Sequence, residues 1–470
     1  MFEPVIGLEV HLALKTQTKM FCGCPADGFG EDPNVNTCPV CLGLPGALPV
    51  VNVEAIQKAI MFSLAIQCTV PNQTQFHRKN YYYPDAPKNY QISQFDQPVG
   101  EHGFIEVEGK RIRITRCHVE EDAGRLVHPK YADHTLVDLN RAGAPLIEMV
   151  TEPDLRTPEQ TRNFLNQVRA IAQALEISDA SPEEGKMRAD VNVSLRRPGE
   201  SYGTKVEVKN LNSFKSVKSA LEYEISRQTR ILEVGEPIRQ ETRGWNEGGQ
   251  KTYTMRTKEG TADYRYFADP DLPPLELGKK QIENIRSRTP ELPGQKWTRY
   301  LELSLKQADA EMIAYDTSLS RFYDAAVNLF PSGAQALANW LVSDVIGYLN
   351  NKGQDLETSA LTPVELVNLV RLVENDSISG RVAKEILPAV MEGQNSEDLV
   401  KERGLTQITD VSQIEQLIAT TLQSNPKIVA SISENPKAIN ALLGRVLKES
   451  RGQAKPDLVR QLLIQKLRIE

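Results

Sequence analysis

From Val5 to Leu14 the chain reads VIGLEVHLAL, with Ile6, Leu8, Val10, Leu12 and Leu14 apolar at every second position. That period predicts a half-buried strand, and Gly7, Glu9, His11 and Ala13 fall on its other face. Short alternating runs broken by Gly, Pro and Asn continue through roughly the first 290 residues. Several of them set an acid between apolar neighbours. The run from Arg111 ends in His118-Val119-Glu120-Glu121-Asp122, and PLIEMVTEPD places Glu148 between Ile147 and Met149. MRADVNVSLR carries Asp190, with Asn192 and Ser194 on its face, and TKVEVKN sets Glu207 between two valines. Brought into one antiparallel sheet, such strands gather their carboxylates into a single patch.

Past Ser287 to Gly294 (SRTPELPG), which reads as a linker, apolar residues recur at helical spacing, as in Leu337, Trp340, Leu341, Val345 and Tyr348. Thr362-Pro363-Val364-Glu365 predicts an N-cap, a Pro at N1 and a capping-box Glu, and Ser412 with Glu415 repeats the device. Asn425-Pro426 and Asn435-Pro436 separate short helices. The pattern predicts an α+β chain, sheet first and helices after.

Two motifs carry chemistry. Cys22 and Cys24, then Cys38 and Cys41 after thirteen residues, form C-x-C and C-x-x-C pairs. Four thiols at such spacing predict one closed, structural tetrahedral zinc site, against the alternative of reduced, unligated surface thiols. Cys68 and Cys117 stand in apolar runs and read as packed core thiols. The carboxylate patch needs cations, because like charges repel at close range. Oxygen ligands with an occasional imidazole suit Mg²⁺, and Mg²⁺ implies phosphate chemistry. No P-loop, Rossmann fingerprint, kinase signature set or GxSxG sequence occurs. A nucleotide would therefore bind through metal-bridged phosphates and cations such as Arg78, Lys79, Lys205 or Lys209.

Composition changes the picture little. At 470 residues the chain is too long for one core. A net charge of −7 argues against wholesale capture of nucleic acid, yet the stretch from Arg445 holds seven Lys/Arg against three Asp/Glu. No apolar run reaches the roughly 20 residues of a membrane span. The N-terminus lacks a secretory pattern, so a reducing, cytoplasmic (or equivalent organellar) setting is expected.

The strings HRKNYYYPDAPKNYQISQFDQP, HVEEDAG, DLNRAGAPLIEMVTEPD, KVEVKNLNSFKSVKSALEYEISRQ and GRVLKESRGQAKPDLVRQLL, with the opening strand, resemble the B subunit of the tRNA-dependent aspartyl/glutamyl amidotransferase. The resemblance runs through essentially the whole chain. One departure is Phe267-Ala268-Asp269-Pro270, where the family usually reads Phe-Pro-Glu-Pro. It implies a cradle similar to glutamine synthetase and guanido kinases over residues 1–293, a helical domain over 294–405 and a tRNA-contacting helical tail over 406–470. It implies partners too: a glutaminase A subunit, a small C subunit, mischarged tRNA(Gln) or tRNA(Asn), and a non-discriminating synthetase. ATP would phosphorylate the side-chain carboxylate of the mischarged residue, and ammonia from the glutaminase would displace the phosphate.

Carried over motif by motif, the resemblance implies that Glu9, His11, Glu121 and Glu148 form the Mg²⁺ shell, with Glu120 and Asp122 as adjacent alternatives. The plainer reading of Glu148 is a pairing with a neighbouring arginine such as Arg141. The resemblance makes Asp190 and Glu207 further metal- or ammonia-handling acids, and Arg78, Lys79, Tyr81 and Tyr83 contacts for phosphate or the acceptor end. Arg445, Lys448, Arg451 and Lys455 would meet the tRNA backbone. The acid-rich sheet alone equally allows a stand-alone ATP-dependent carboxylate–amine ligase. A zinc-stapled, non-enzymatic tRNA scaffold is the third reading.

Overall fold

The computed structural model describes residues 2–28, 30–129, 132–257, 264–408, 410–432, 438–450 and 453–467. The chain forms two compact units, Met1–Pro293 and Gly294–Glu470.

The first unit is built on an eight-stranded sheet. Its strands are β1 (Glu3–Ala13), β4 (Gly100–Val107), β5 (Lys110–Glu121), β6 (Pro145–Thr151), β7 (Met187–Arg196), β8 (Val206–Lys209), β9 (Glu241–Asn246) and β10 (Lys251–Thr257). A small antiparallel sheet beside it holds β2 (His77–Asn80), β3 (Tyr90–Ser93) and β11 (Phe267–Ala268). The large sheet runs in the order β10-β9-β8-β7-β1-β6-β5-β4, antiparallel except for β8 with β9. The opening strand is thus central, flanked by β7 and β6.

Alternation sorts the two faces. Ile6, Leu8, Val10 and Leu12 share a core with Cys117, Val119, Ile147, Met149, Val191, Val193, Val206 and Val208. Helices α1 (Val53–Ala65), α2 (Pro158–Ala174) and α3 (Phe214–Glu233) contribute Ile60, Phe164, Val168 and Leu221 to it. Burying each such side chain stabilises by roughly 1.5–3 kcal/mol. These three helices depart from the strand-rich pattern of this half. Their starts carry the same signals as the later ones: Asn52, Thr157 and Ser213 accept from Ala55, Gln160 and Ser216 N–H groups, and Pro158 stands at N1 of α2.

All described regular structure in the second unit is helical, with one core from Tyr300 to Val400 and another from Ile414 to Leu463. Leu337, Trp340, Leu341 and Val345 are buried, on a helix containing a π-helical turn at Trp340–Val345. Thr362 caps its helix through Glu365 N–H at 3.2 Å. The expected reciprocal bond gives way to another, because Glu365 accepts from Ser396 N–H at 2.6 Å and so caps the helix Ser396–Glu402. At Val411–Ser424 the cap is Asp410 rather than Ser412. Arg445 and Lys448 are exposed, whereas Lys455 is paired with Asp376 at 2.6 Å. Asn435, Pro436 and Arg451 lie outside the described residues.

Candidate active site

Strand register assembles the polar face. Opposite His11 on β1 stands Glu148 on β6, and opposite Glu148 stands His118 on β5. On the other flank Glu9 faces Asp190 of β7, and Asn192 faces Glu207 of β8. The result is two clusters. His11, Glu120 and Glu148 bring one ligand atom each within 4.8 Å of one another, and Glu9, Asp190 and Glu207 do the same. Glu9 and His11 are two residues apart on one strand, which sets the clusters about 7 Å apart along it.

The first cluster has buried carboxylates and a half-buried His11, and it neutralises itself. His11 Nε2 lies 3.4 Å from Glu148 and 3.7 Å from Glu120, and His118 Nε2 lies 3.4 and 3.6 Å from the same two carboxylates. Burial opposes charge on every member, but mutual pairing wins. His118 is pushed up to about 9, against its burial, by Glu148 and Glu120. Burial likewise disfavours charge on Glu148, yet His118 and His11 hold it well below the usual carboxylate range. Both imidazoles are more basic than usual, so a divalent cation would compete with protons for them, and carboxylate oxygens with imidazole nitrogen form a suitable donor set.

The second cluster is compensated by an amine. Lys209 pairs with Asp190 and, at 3.2 Å, with Glu207. Asn192 donates to Glu9 at 3.2 Å, and Thr242 donates to Glu207 at 2.7 Å. A cavity of about 400 Å³ opens over both clusters, lined by His11, Glu120, Asp190, Lys79, Lys209 and Tyr81 among others. Lys79 lies with its ammonium 5.1 Å from the Tyr264 ring centroid; burial works against its charge, and Glu120 keeps it protonated.

Of the four residues expected in one shell, only His11 and Glu148 come together. Glu9 belongs to the second cluster, and Glu121 to neither. Successive strand residues point to opposite faces, so Glu120 joins the histidines while Glu121, which also reaches the cavity lining, is taken up by Lys88 and by Ile92 N–H. Asp122 is held by Arg188 and Arg141, so the arginine expected beside Glu148 serves a different acid. His118 is the functional candidate that the run of acids hides, although its parity with Glu120 marks it.

The expected phosphate contacts divide similarly. Lys79, Tyr81 and Lys209 line the cavity, whereas Arg78 is occupied by Asp269 and Asp271, each at 2.9 Å. Asp269, the departure from the usual turn, is therefore the buried anchor of a structural pair. Tyr83 stacks on Tyr81, and Lys205 is exposed just before β8; neither lines the cavity.

The four cysteines of the clip converge, with Sγ atoms within 4.8 Å of one another. Cys41 Sγ accepts Cys38 N–H at 3.1 Å and lies 3.7 Å from Lys19 Nζ. A hydrogen bond from Cys22, then that backbone N–H and Lys19, draws Cys41 down to about 4, while burial and Cys38 push Cys24 up to about 11. Four soft donors converging in this way fit a closed tetrahedral metal site. Cys68 and Cys117 are buried.

Residues 4–283 match the family model of the GatB/GatE catalytic domain, and residues 321–467 that of the GatB domain. The chain is 56% identical over 468 residues to the B subunit of the aspartyl/glutamyl-tRNA(Asn/Gln) amidotransferase of Thermus thermophilus, covering 99% of each chain. The B subunits of Deinococcus radiodurans, 52% identical over 475 residues, and of Carboxydothermus hydrogenoformans, 46% over 477, are likewise covered to 99% on both sides. The chain belongs to the family of amidotransferase B subunits. Those relatives are named as B subunits, that is, as parts of a larger amidotransferase. No described helix is long and apolar enough to cross a membrane.

Proposed function

We propose that this chain carries the carboxylate-activating and amide-forming site of an aspartyl/glutamyl-tRNA(Asn/Gln) amidotransferase. The substrate is Glu-tRNA(Gln), Asp-tRNA(Asn) or both. A carboxylate repels nucleophiles and has only oxide to lose. Its oxygen attacks the γ-phosphorus of ATP and ADP departs; ammonia from a partner glutaminase then attacks the acyl carbon, and phosphate leaves with the C–O electron pair. The observation that carries this reading is the pair of clusters on one sheet face, both open to the cavity.

In this reading His11, Glu120 and Glu148 hold one divalent cation and Glu9, Asp190 and Glu207 hold a second or take the proton that ammonia sheds. Mg²⁺, when bound, neutralises the oxygens of the transferring phosphoryl group. Lys79 and Lys209 orient phosphate oxygens, and Tyr81, backed by Tyr83, meets the acceptor end, with Lys205 farther out. Arg78 holds the frame in place of touching substrate, and Glu121 holds Lys88 at the cavity lining. The assembly is completed by a small C subunit, and the helical tail meets tRNA through Arg445 and Lys448. The thiol clip takes structural Zn²⁺.

The test is a transamidation assay of the co-purified subunits with each mischarged tRNA, with and without ATP. Amide should form only with ATP and Mg²⁺; amide made without ATP overturns the proposal. Replacing the four clip cysteines by serine should remove one zinc per chain and lower the melting temperature steeply, since structural zinc contributes on the order of 10 kcal/mol. An unchanged melting temperature refutes the staple.

A further inference from the structure

The clip and the carboxylates reach the same cavity, whose lining includes Cys41, Lys88, Glu120 and Glu121. Two glycines make the approach close. Gly43, just past the clip, has φ 66°, and a Cβ there would stand 2.5 Å from Lys88 Cγ and 3.1 Å from Lys88 Cα. The second of these is backbone and cannot swing aside. Gly143, with φ 89°, fits between Lys19, Cys41 and Glu121, whose nearest atoms would be 3.5, 3.6 and 3.8 Å from a Cβ. Its N–H donates to the Asp122 carbonyl at 2.9 Å, and its own carbonyl accepts from Met20 N–H at 2.8 Å.

Lys88 carries this contact into the site. Its ammonium donates to both oxygens of Glu121, which also accepts Ile92 N–H at 2.8 Å. Glu120, the next residue, accepts from the Ser93 hydroxyl at 3.1 Å. The two acids point to opposite faces of β5 yet fasten to successive residues of β3. They share a peptide, so a displaced Glu121 moves Glu120.

We propose that Lys88 is a positioning residue that couples the thiol clip to the His11–Glu120–Glu148 cluster, so that the seat of the clip on Lys88 sets how tightly that cluster holds a divalent cation. This rests on the cation reading above. Neither Lys88 nor Gly43 touches the cluster itself; both act through Glu121.

The test is Mn²⁺ titration of the full chain in its complex, read by the electron paramagnetic signal of free Mn²⁺, with zinc per chain measured in parallel. Lys88→Met keeps the stem that rests on Gly43 and removes the charge; Gly43→Ala keeps every ligand and shifts Lys88. Each should weaken Mn²⁺ binding about tenfold or more while zinc stays bound. The double variant should lose no more than the larger single loss, because both act along one path. Wild-type affinity in Lys88→Met, or losses that add in full, overturns the coupling. If Gly43→Ala sheds zinc or unfolds the clip, Lys88→Met decides alone. A Glu148→Gln chain that titrates like the wild type instead overturns the cation reading beneath it.

Discussion

The groups around His11 and those around Glu9, two residues apart on the same strand, are neutralised by different chemistry. Around His11 the compensating charges sit on imidazoles, which become neutral ligands once their protons leave. Around Glu9 the compensating charge is the Lys209 ammonium, which stays charged and must move aside. Burial separates them less: Glu120 is 2% exposed and His118 3%, but Glu148 and Glu207 are both 8% exposed, and His11, Glu9 and Asp190 are all half-buried. A divalent cation should therefore enter the first cluster by displacing protons and the second by displacing an amine. Similar acid content does not make equivalent sites.

The largest expected effect breaks the first cluster. Glu148→Gln should lower ATP-dependent transamidation on the order of 100-fold or more while tRNA binding survives, and Asp190→Asn should cost less. Equal losses in the two variants, measured side by side, would erase the distinction drawn here. Lys209→Met sharpens it from the other flank. Without the competing ammonium, Mn²⁺ should bind the second cluster several-fold more tightly, as a titration can read.

A third prediction uses acidity in the chelator-treated chain. His118 is more basic in the fold than its ordinary 6.5, so its stabilisation is complete below pH 6.5 and is lost as pH rises through about 9. Glu148 and Glu120 are both depressed, so they stay ionised across that window and do not contribute to the loss. His11, against its desolvation, is raised by the same two acids and adds to the loss, so the melting temperature should fall between pH 6.5 and 9 and His118→Gln should flatten that slope in part. The smallest effect supplies a reference away from both clusters: Thr362→Ala removes a helix cap and should cost about 1 kcal/mol in denaturant unfolding without changing Mn²⁺ affinity.

Much of this was legible in the residues. Alternation in VIGLEVHLAL set Glu9 and His11 on the polar face, and acids between apolar neighbours marked Glu148, Asp190 and Glu207. The thiol spacing foretold the convergence of Cys22, Cys24, Cys38 and Cys41. At Glu120-Glu121-Asp122 the pattern gave out, since three consecutive acids leave the parity of a strand end undetermined. Helices α1 to α3 went unread because their capping signals sat among stronger strand signals.

Local periodicity therefore determined what each strand offers: which face is apolar, which carries an acid, and where a helix begins. Which offerings meet depended on register. Glu148 joins His11 and His118 only because β6 lies between β1 and β5, and Lys88 meets Glu121 only because Gly43 leaves room for it. Pairing between distant strands is fixed by packing and turn geometry across the whole unit, and a period of two residues carries no record of its neighbour.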